Sequence, residues 1–371
     1  MGFRAGVCAL AVAASLASCG GKSTTHSSSS TSSSVTSSSS ASTGAGAEAA
    51  RVVPIPTFAL PSKAAGCHGA SPAGGGAERI PARISRVGAD VGILVNVCID
   101  GKGPFPFQVD TGASSATIDA GLADRLKLPP VGKVETFGGA GCSAKGQERR
   151  IAAWSLDGIP LRPQTATGAK VPHLGGPGQP DGLIGSDVWS AFGALRVDFR
   201  HQDLVVPGPE RALPRKETIV KKPATGALPA ALVHGRPRIV APMTVDAAPS
   251  QTVITVSVAF GSHAGSDFTP DTGASTSVVD SGVARQAGLA HVALRERQNT
   301  ACSVVTLPGV SSGAWSLAHT PLVSQTLLTT KLLTSGPAAG LLGADQMSRY
   351  GSVVLDYHGG RLILGAGGGP G

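Results

Sequence analysis

Asp110-Thr111-Gly112-Ala113-Ser114 recurs as Asp271-Thr272-Gly273-Ala274-Ser275, and these two stretches set the architecture of the 371-residue chain. Each follows a strand-like segment, Pro106 to Val109 and Asp267 to Pro270, so each aspartate sits where a strand turns. Average composition gives a lone Asp-Thr-Gly in about one chain of this length in ten. Two five-residue copies need a cause other than composition.

The cause is a duplication. The aspartates lie 161 positions apart (271 − 110), and so do Trp154 and Trp315 in Ala-Trp-Ser-Leu (315 − 154). Further on, Gly182-Leu183-Ile184-Gly185-Ser186-Asp187 matches Gly340-Leu341-Leu342-Gly343-Ala344-Asp345 at an offset of 158 (343 − 185). Both copies then close alike, Leu195-Arg196-Val197-Asp198-Phe199 against Val353-Val354-Leu355-Asp356-Tyr357. One unit of roughly a hundred and twenty residues is present twice.

Residues 1–18 read as a leader: Arg4, an apolar run from Val7 to Leu16, then Leu16-Ala17-Ser18 before Cys19. This resembles a bacterial lipoprotein signal, which implies cleavage before Cys19, a lipid on its sulfur, and an extracytoplasmic, membrane-anchored protein. Residues 19–78 read as a spacer, almost wholly Ser, Thr, Ala and Gly over 23–46, with too few apolar side chains to offset the entropy of ordering them. The first lobe is expected over 79–206, a proline-rich surface connector over 207–235, the second lobe over 236–365, and a frayed tail over 366–371. Arg83 to Val87 and Ile93 to Ile99 read as strands, the latter turned at Asp100-Gly101-Lys102-Gly103. In the second copy Arg238 to Val240 and the alternating Ile254, Val256, Val258 and Phe260 play the same part. One short helix per lobe is expected after each Leu/Ile-Gly, capped by Ser186 or Asp187 and ended by Gly193, with Asp345 and Gly351 in the second copy. Trp154 and Trp315 read as core anchors.

Beyond Cys8 and Cys19, the cysteines are Cys67, Cys98, Cys142 and Cys302, an even number that allows three pairings and fits an exported protein. Cys142 and Cys302 either join across the pseudo-symmetry axis or each pair with an N-terminal cysteine. Other chemistries find no support. Gly139-x-Gly141-x-x-Ala144 is not followed by a helix pattern, and the nine histidines show no metal-ligand spacing. The net charge of +8 is dispersed and aromatics are 4% of the chain, which argues against nucleic acid. A solvated basic surface near anionic lipid fits better.

The Asp-Thr-Gly-Ala-Ser after an apolar strand, the downstream Leu/Ile-Gly and the closing Asp-(Phe/Tyr) segment resemble retropepsin-like aspartic proteases, in their bacterial aspartyl protease branch. Ala113 and Ala274, where pepsin-like enzymes usually carry Ser or Thr, favour the retropepsin side. The resemblance implies an all-β fold of two pseudo-symmetric β-barrel lobes, each with one short helix, in one monomeric chain; dimerisation between chains is the other arrangement. It also implies an aspartic endopeptidase with Asp110 and Asp271 as the catalytic pair. Thr111 and Thr272 brace them, Gly112 and Gly273 form the tight turns, and Ser114 and Ser275 support the loops. Mobile flaps fall at 136–142 and 299–309.

The chemistry stands beside the resemblance. Hydrolysing a peptide bond with water needs one group to take a proton and another to give one, and two close carboxyls sharing one proton supply both. Like charges that close cannot both ionise comfortably, so the pair titrates as a unit. No cofactor or metal is implied; the expected partners are a peptide or protein substrate and the membrane, not nucleic acid. The alternative is a protease-fold module that has lost catalysis and binds peptides or a partner protein at the cell surface. Pro270, standing where the first copy has Val109, removes an N–H donor and predicts a slightly reshaped second loop.

Overall fold

The computed structural model describes residues 68–87, 90–139, 142–171, 180–211, 216–233, 236–299, 304–332 and 338–365. The leader, Cys19, the Ser/Thr-rich spacer, Cys67, Cys302 and the tail from 366 lie outside them. The described chain is all-β with a few short helices.

The alternation in the second copy becomes the strand Gln251–Phe260, which buries Thr252, Ile254, Val256, Val258 and Phe260 on one face. Its counterpart Asp90–Ile99 is covered on both faces, and its β-branched run is buried almost throughout. Asp100 and Gly101, both at positive φ, turn it into Lys102–Val109, a pairing suited to a two-residue hairpin. That strand delivers Asp110, as His263–Asp271 delivers the second aspartate.

Each delivering strand is locked from the side by the Leu/Ile-Gly segment. Gly182–Ile184 runs parallel to it, with Gly182 opposite Phe107, and Gly340–Gly343 runs beside Phe268 in the same register. A methyl group on Gly182 or Gly340 would overlap the facing phenylalanine ring, so the strand passes there only as glycine. The tryptophans anchor the other side of each core: both are buried and both indole N–H groups donate to backbone carbonyls, Trp154 to Arg162 at 2.7 Å and Trp315 to Val323 at 2.9 Å.

The halves are joined by a shared antiparallel sheet. Its order is Ala77–Pro81, Asp203–Val206, Ala194–Asp198, Ser352–Asp356, Arg361–Leu364 and Ile239–Ala248. Arg196 pairs with Val354 at the centre, and these are matched residues of the two copies, so the pseudo-two-fold axis passes between them. Ser71–Gly74 adds an edge strand, and the first half is thus in place before the expected boundary at residue 79.

Two features depart from the sequence reading. Among the described residues each half has two short α-helices, not one. Ala120–Arg125 and Ser281–Gln286 are capped by Asp119, which accepts from the Leu122 N–H at 3.1 Å, and by Asp280, which accepts from the Gly282 N–H at 2.7 Å. The helices after Leu/Ile-Gly, Ser186–Phe192 and Ala344–Met347, begin at Gly185 and Gly343 with no side-chain cap, because Asp187 and Asp345 are turned inward and buried. Gly193 and a further turn to Gly351 end them in the left-handed region, as expected.

The connector is also more than a surface strap. Thr218–Val220 pairs with Ile239–Ala248, and Leu232, with no accessible surface, packs with Ala77, Ala194 and Val205 over the shared sheet. Arg196 and Arg361 donate to its carbonyls at Ala231 and Gly226. Leu232→Ala is expected to cost about 2–4 kcal/mol in urea unfolding, as for other buried leucines; a loose connector would leave the midpoint unchanged.

Candidate active site

The two Asp-Thr-Gly loops meet across the axis. Each glycine lies under the opposite carboxyl: a Cβ on Gly112 would fall 2.7 Å from Asp271 Oδ1, and one on Gly273 would fall 2.6 Å from Asp110 Oδ1. Only a residue with no side chain lets the carboxyls come this close to the facing backbone. The two carboxyls are close enough that each perturbs the other's ionisation.

The threonines tie the loops together through backbone, not to one another. The Thr111 N–H donates to Thr272 Oγ1 (3.1 Å), whose hydroxyl donates to the Val109 carbonyl (2.7 Å). Reciprocally, the Thr272 N–H donates to Thr111 Oγ1 (3.0 Å), whose hydroxyl donates to the Pro270 carbonyl (2.8 Å). Both side chains are buried, at 1% and 0% exposure, so each bond is shielded from competing water. Pro270 contributes a carbonyl here, and its missing N–H leaves the loop unchanged: Gly273 and Ala274 N–H groups donate to Asp271 Oδ1 at 2.8 and 3.0 Å, as Gly112 and Ala113 donate to Asp110 Oδ1 at 3.1 and 2.9 Å.

The serines after each glycine act through their carbonyls. Ser114 accepts from the Thr252 N–H (2.8 Å) and Ser275 from the Val91 N–H (3.3 Å), so the matched strands Gln251–Phe260 and Asp90–Ile99 each dock on the other half's loop. On the second loop alone, Ser275 and Thr276 hydroxyls also donate to Asp90.

Burial pushes both carboxyls above the usual range, and the neighbouring Asp110 charge drives Asp271 higher still. Asp271 is 8% exposed and Asp110 is the more open of the two. Behind each loop sits a second buried acid. Asp345 accepts from Ser277 (2.7 Å) and Gln325 (2.8 Å), whereas Asp187 accepts from Gln164 at 3.3 Å, and burial pushes Asp187 up to about 7.

Several residues at the site escape the sequence reading. Gln108 donates from Nε2 to the Gly273 carbonyl at 2.8 Å, and Ser186 joins the Thr111 carbonyl to Tyr357. Their signal is a mismatch between copies: Thr269, Ala344 and Phe199 stand at the corresponding positions. The candidate flaps are β-hairpins, Pro130–Gly139 with Cys142–Ile151 and His291–Asn299 with Val304–Ser311, whose tips lie outside the described residues. Cys98 is disulfide-bonded, to a cysteine whose side chain is not among those described. A cavity of about 580 Å³ opens at the turn around Gly261 and holds His263 as its one titratable residue, so no acid–base pair can be built there. Among the described residues, no cluster of His, Cys, Asp and Glu could hold a metal, and no helix is long and apolar enough to cross a membrane.

Residues 95–188 match the family model described as aspartyl protease. That span holds the first Asp-Thr-Gly and the first Leu/Ile-Gly; the second copy lies beyond it. Among solved structures, the crystal structure of an aspartic proteinase from Irpex lacteus is similar at 14% identity, covering 78% of this chain and 96% of that one, with a TM-score of 0.39. No curated protein matches the chain.

Thr272→Val leaves the Val109 carbonyl without its donor and the Thr111 N–H without its acceptor. Its expected cost is roughly 2–4 kcal/mol by denaturant unfolding, with Thr272→Ser close to wild type. Asp187 gives a pH signature of definite sign. Its folded pKa lies above its unfolded one, so the folded state holds the extra proton, and its contribution is intact below about pH 4 and lost as pH rises through 7. Replacing it by Asn is expected to remove up to about 4 kcal/mol of that pH dependence, read as flatter unfolding free energies between pH 4 and 8.

Proposed function

We propose that the protein is an aspartic endopeptidase that hydrolyses peptide bonds with a water activated by Asp110 and Asp271. The observation that carries this reading is the reciprocal stacking of each carboxyl on the other half's glycine, with both threonines holding the loops in that position. Two carboxyls this close hold one proton between them more readily than two charges.

In the reaction the ionised member, Asp110, takes a proton from the water as its oxygen attacks the substrate carbonyl carbon. Asp271 gives its proton to the carbonyl oxygen, and a neutral tetrahedral diol results. Asp110 then passes its proton to the amide nitrogen while a diol hydroxyl returns one to Asp271, and the C–N bond breaks to a carboxylic acid and an amine. The pair ends in its starting protonation state. The substrate is read as an extended peptide lying strand-wise between the halves, under the paired hairpins.

Leu16-Ala17-Ser18-Cys19 and the Ser/Thr-rich run that follows support a further part of the proposal. The enzyme is held by a lipid on Cys19 at the outer side of a bacterial membrane.

The test is cleavage of a diverse peptide pool from pH 3 to 8 by wild type, Asp110→Asn and Asp271→Asn. Both variants are expected to lose activity by at least about a thousandfold, since removing one of two cooperating groups removes most of their joint effect. Wild-type activity is expected to fall as pH rises and Asp271 loses its proton. Cleavage that survives either substitution would refute the shared pair, and a well-folded wild type that cleaves nothing would refute the peptidase reading.

A further inference from the structure

The two loops repeat each other closely, yet the hydrogen bonds behind them do not. Behind Asp110, the buried Ser186 hydroxyl donates to the Thr111 carbonyl at 2.7 Å. The same peptide unit carries the Gly112 N–H, which donates to Asp110 Oδ1 at 3.1 Å. Ser186 Oγ lies 2.9 Å from the hydroxyl of Tyr357. Since Ser186 has one proton and gives it to Thr111, the Tyr357 hydroxyl is the donor in that contact. Burial pushes Tyr357 above the usual phenol range, so it keeps its proton throughout the acid and neutral range.

In the matched positions of the other half stand Phe199 and Ala344, and neither has a hydroxyl. Asp271 has a shorter support, a single Gln108 amide on the Gly273 carbonyl, whose peptide unit carries the Ala274 N–H that donates at 3.0 Å. The titratable groups facing this corner are Asp271 across the axis, Tyr357, and Asp187 on the helix behind the loop. All are acids. Beyond its greater exposure, what favours negative charge on Asp110 is therefore its loop N–H groups and whatever polarises them.

We propose that Tyr357 and Ser186 are positioning residues that hold Asp110, not Asp271, as the ionised member of the pair. Each hydroxyl in the series polarises the next, and the last N–H reaches the carboxylate. The donor at the far end comes from the second half, so the acid–base asymmetry of the site is set by a residue that crosses the axis. This rests on the two-carboxyl reading above.

Tyr357→Phe and Ser186→Ala test it cleanly, because each installs the residue that the other half already carries at the matched position. The first readout is the titration of the Asp110 and Asp271 carboxyls by carbon-13 NMR on the full chain, which needs no catalytic activity. The lower macroscopic pKa of the pair is expected to rise by roughly half a unit or more in either variant. The acid limb of kcat/KM should move by the same amount, kcat should fall severalfold and KM should stay near wild type, while Ser186→Ala, which leaves the Thr111 carbonyl and the Tyr357 hydroxyl unpaired, also lowers the thermal midpoint. Ser190→Ala, which removes a buried hydroxyl of the same helix that bonds Thr252 instead, should leave the titration unmoved. A pair that titrates at wild-type values in both variants overturns the relay, whatever activity does. A coupled titration that responds to the variants in a chain that cleaves no peptide would uphold the relay while refuting the peptidase.

Discussion

Two buried threonine hydroxyls hold the molecule's centre. Each accepts an N–H from the opposite loop and donates to a carbonyl of the opposite strand, so four bonds cross the axis within two residues of the aspartates. A break in either hydroxyl leaves unpaired backbone groups beside two buried side chains, at a cost above the net value of the bond itself. The carboxyl geometry depends on this brace, because the glycines can lie under the opposite carboxyls only if the loops keep their register.

The rest of the fold serves that register. The shared sheet brings matched strands together at Arg196 and Val354, and the matched strands Asp90–Ile99 and Gln251–Phe260 bond to the other half's Ser275 and Ser114. The halves are thus fixed both above and below the loops. The connector seals the outer face with Leu232. Burial has a chemical effect as well: it raises Asp110, Asp271, Asp187 and Asp345 together, and such a set of acids favours the folded state at low pH.

Duplication gives the two halves one plan, and departures from that plan fall where the halves must differ. Pro270 is a harmless departure, since its carbonyl does the same work as that of Val109. Gln108, Ser186 and Tyr357 are of another kind. Each is a buried polar group opposite a residue that makes no equivalent bond to the loops, and each sits on a carbonyl or a hydroxyl behind one aspartate. A symmetric pair of carboxyls has no reason to place its proton on one side; unequal support supplies one.

The sequence by itself determined the duplication, the strands that deliver both aspartates, the tryptophans as core anchors and the two matched Asp-Thr-Gly loops, because these are local patterns repeated at a fixed offset. It also held signals that a single-copy reading passes over: Asp119 and Asp280, matched at 161, start helices that apolar periodicity over six residues is too short to reveal. Only the tertiary structure decided what lies across the axis. That Thr111 bonds the Pro270 carbonyl, that Asp187 turns into the core and does not cap its helix, that Leu232 is buried, and that Tyr357 reaches Ser186 all depend on distances between residues far apart in the chain. Periodicity and propensity describe a residue's neighbours along the backbone, and these contacts exist only once the two halves have closed on each other.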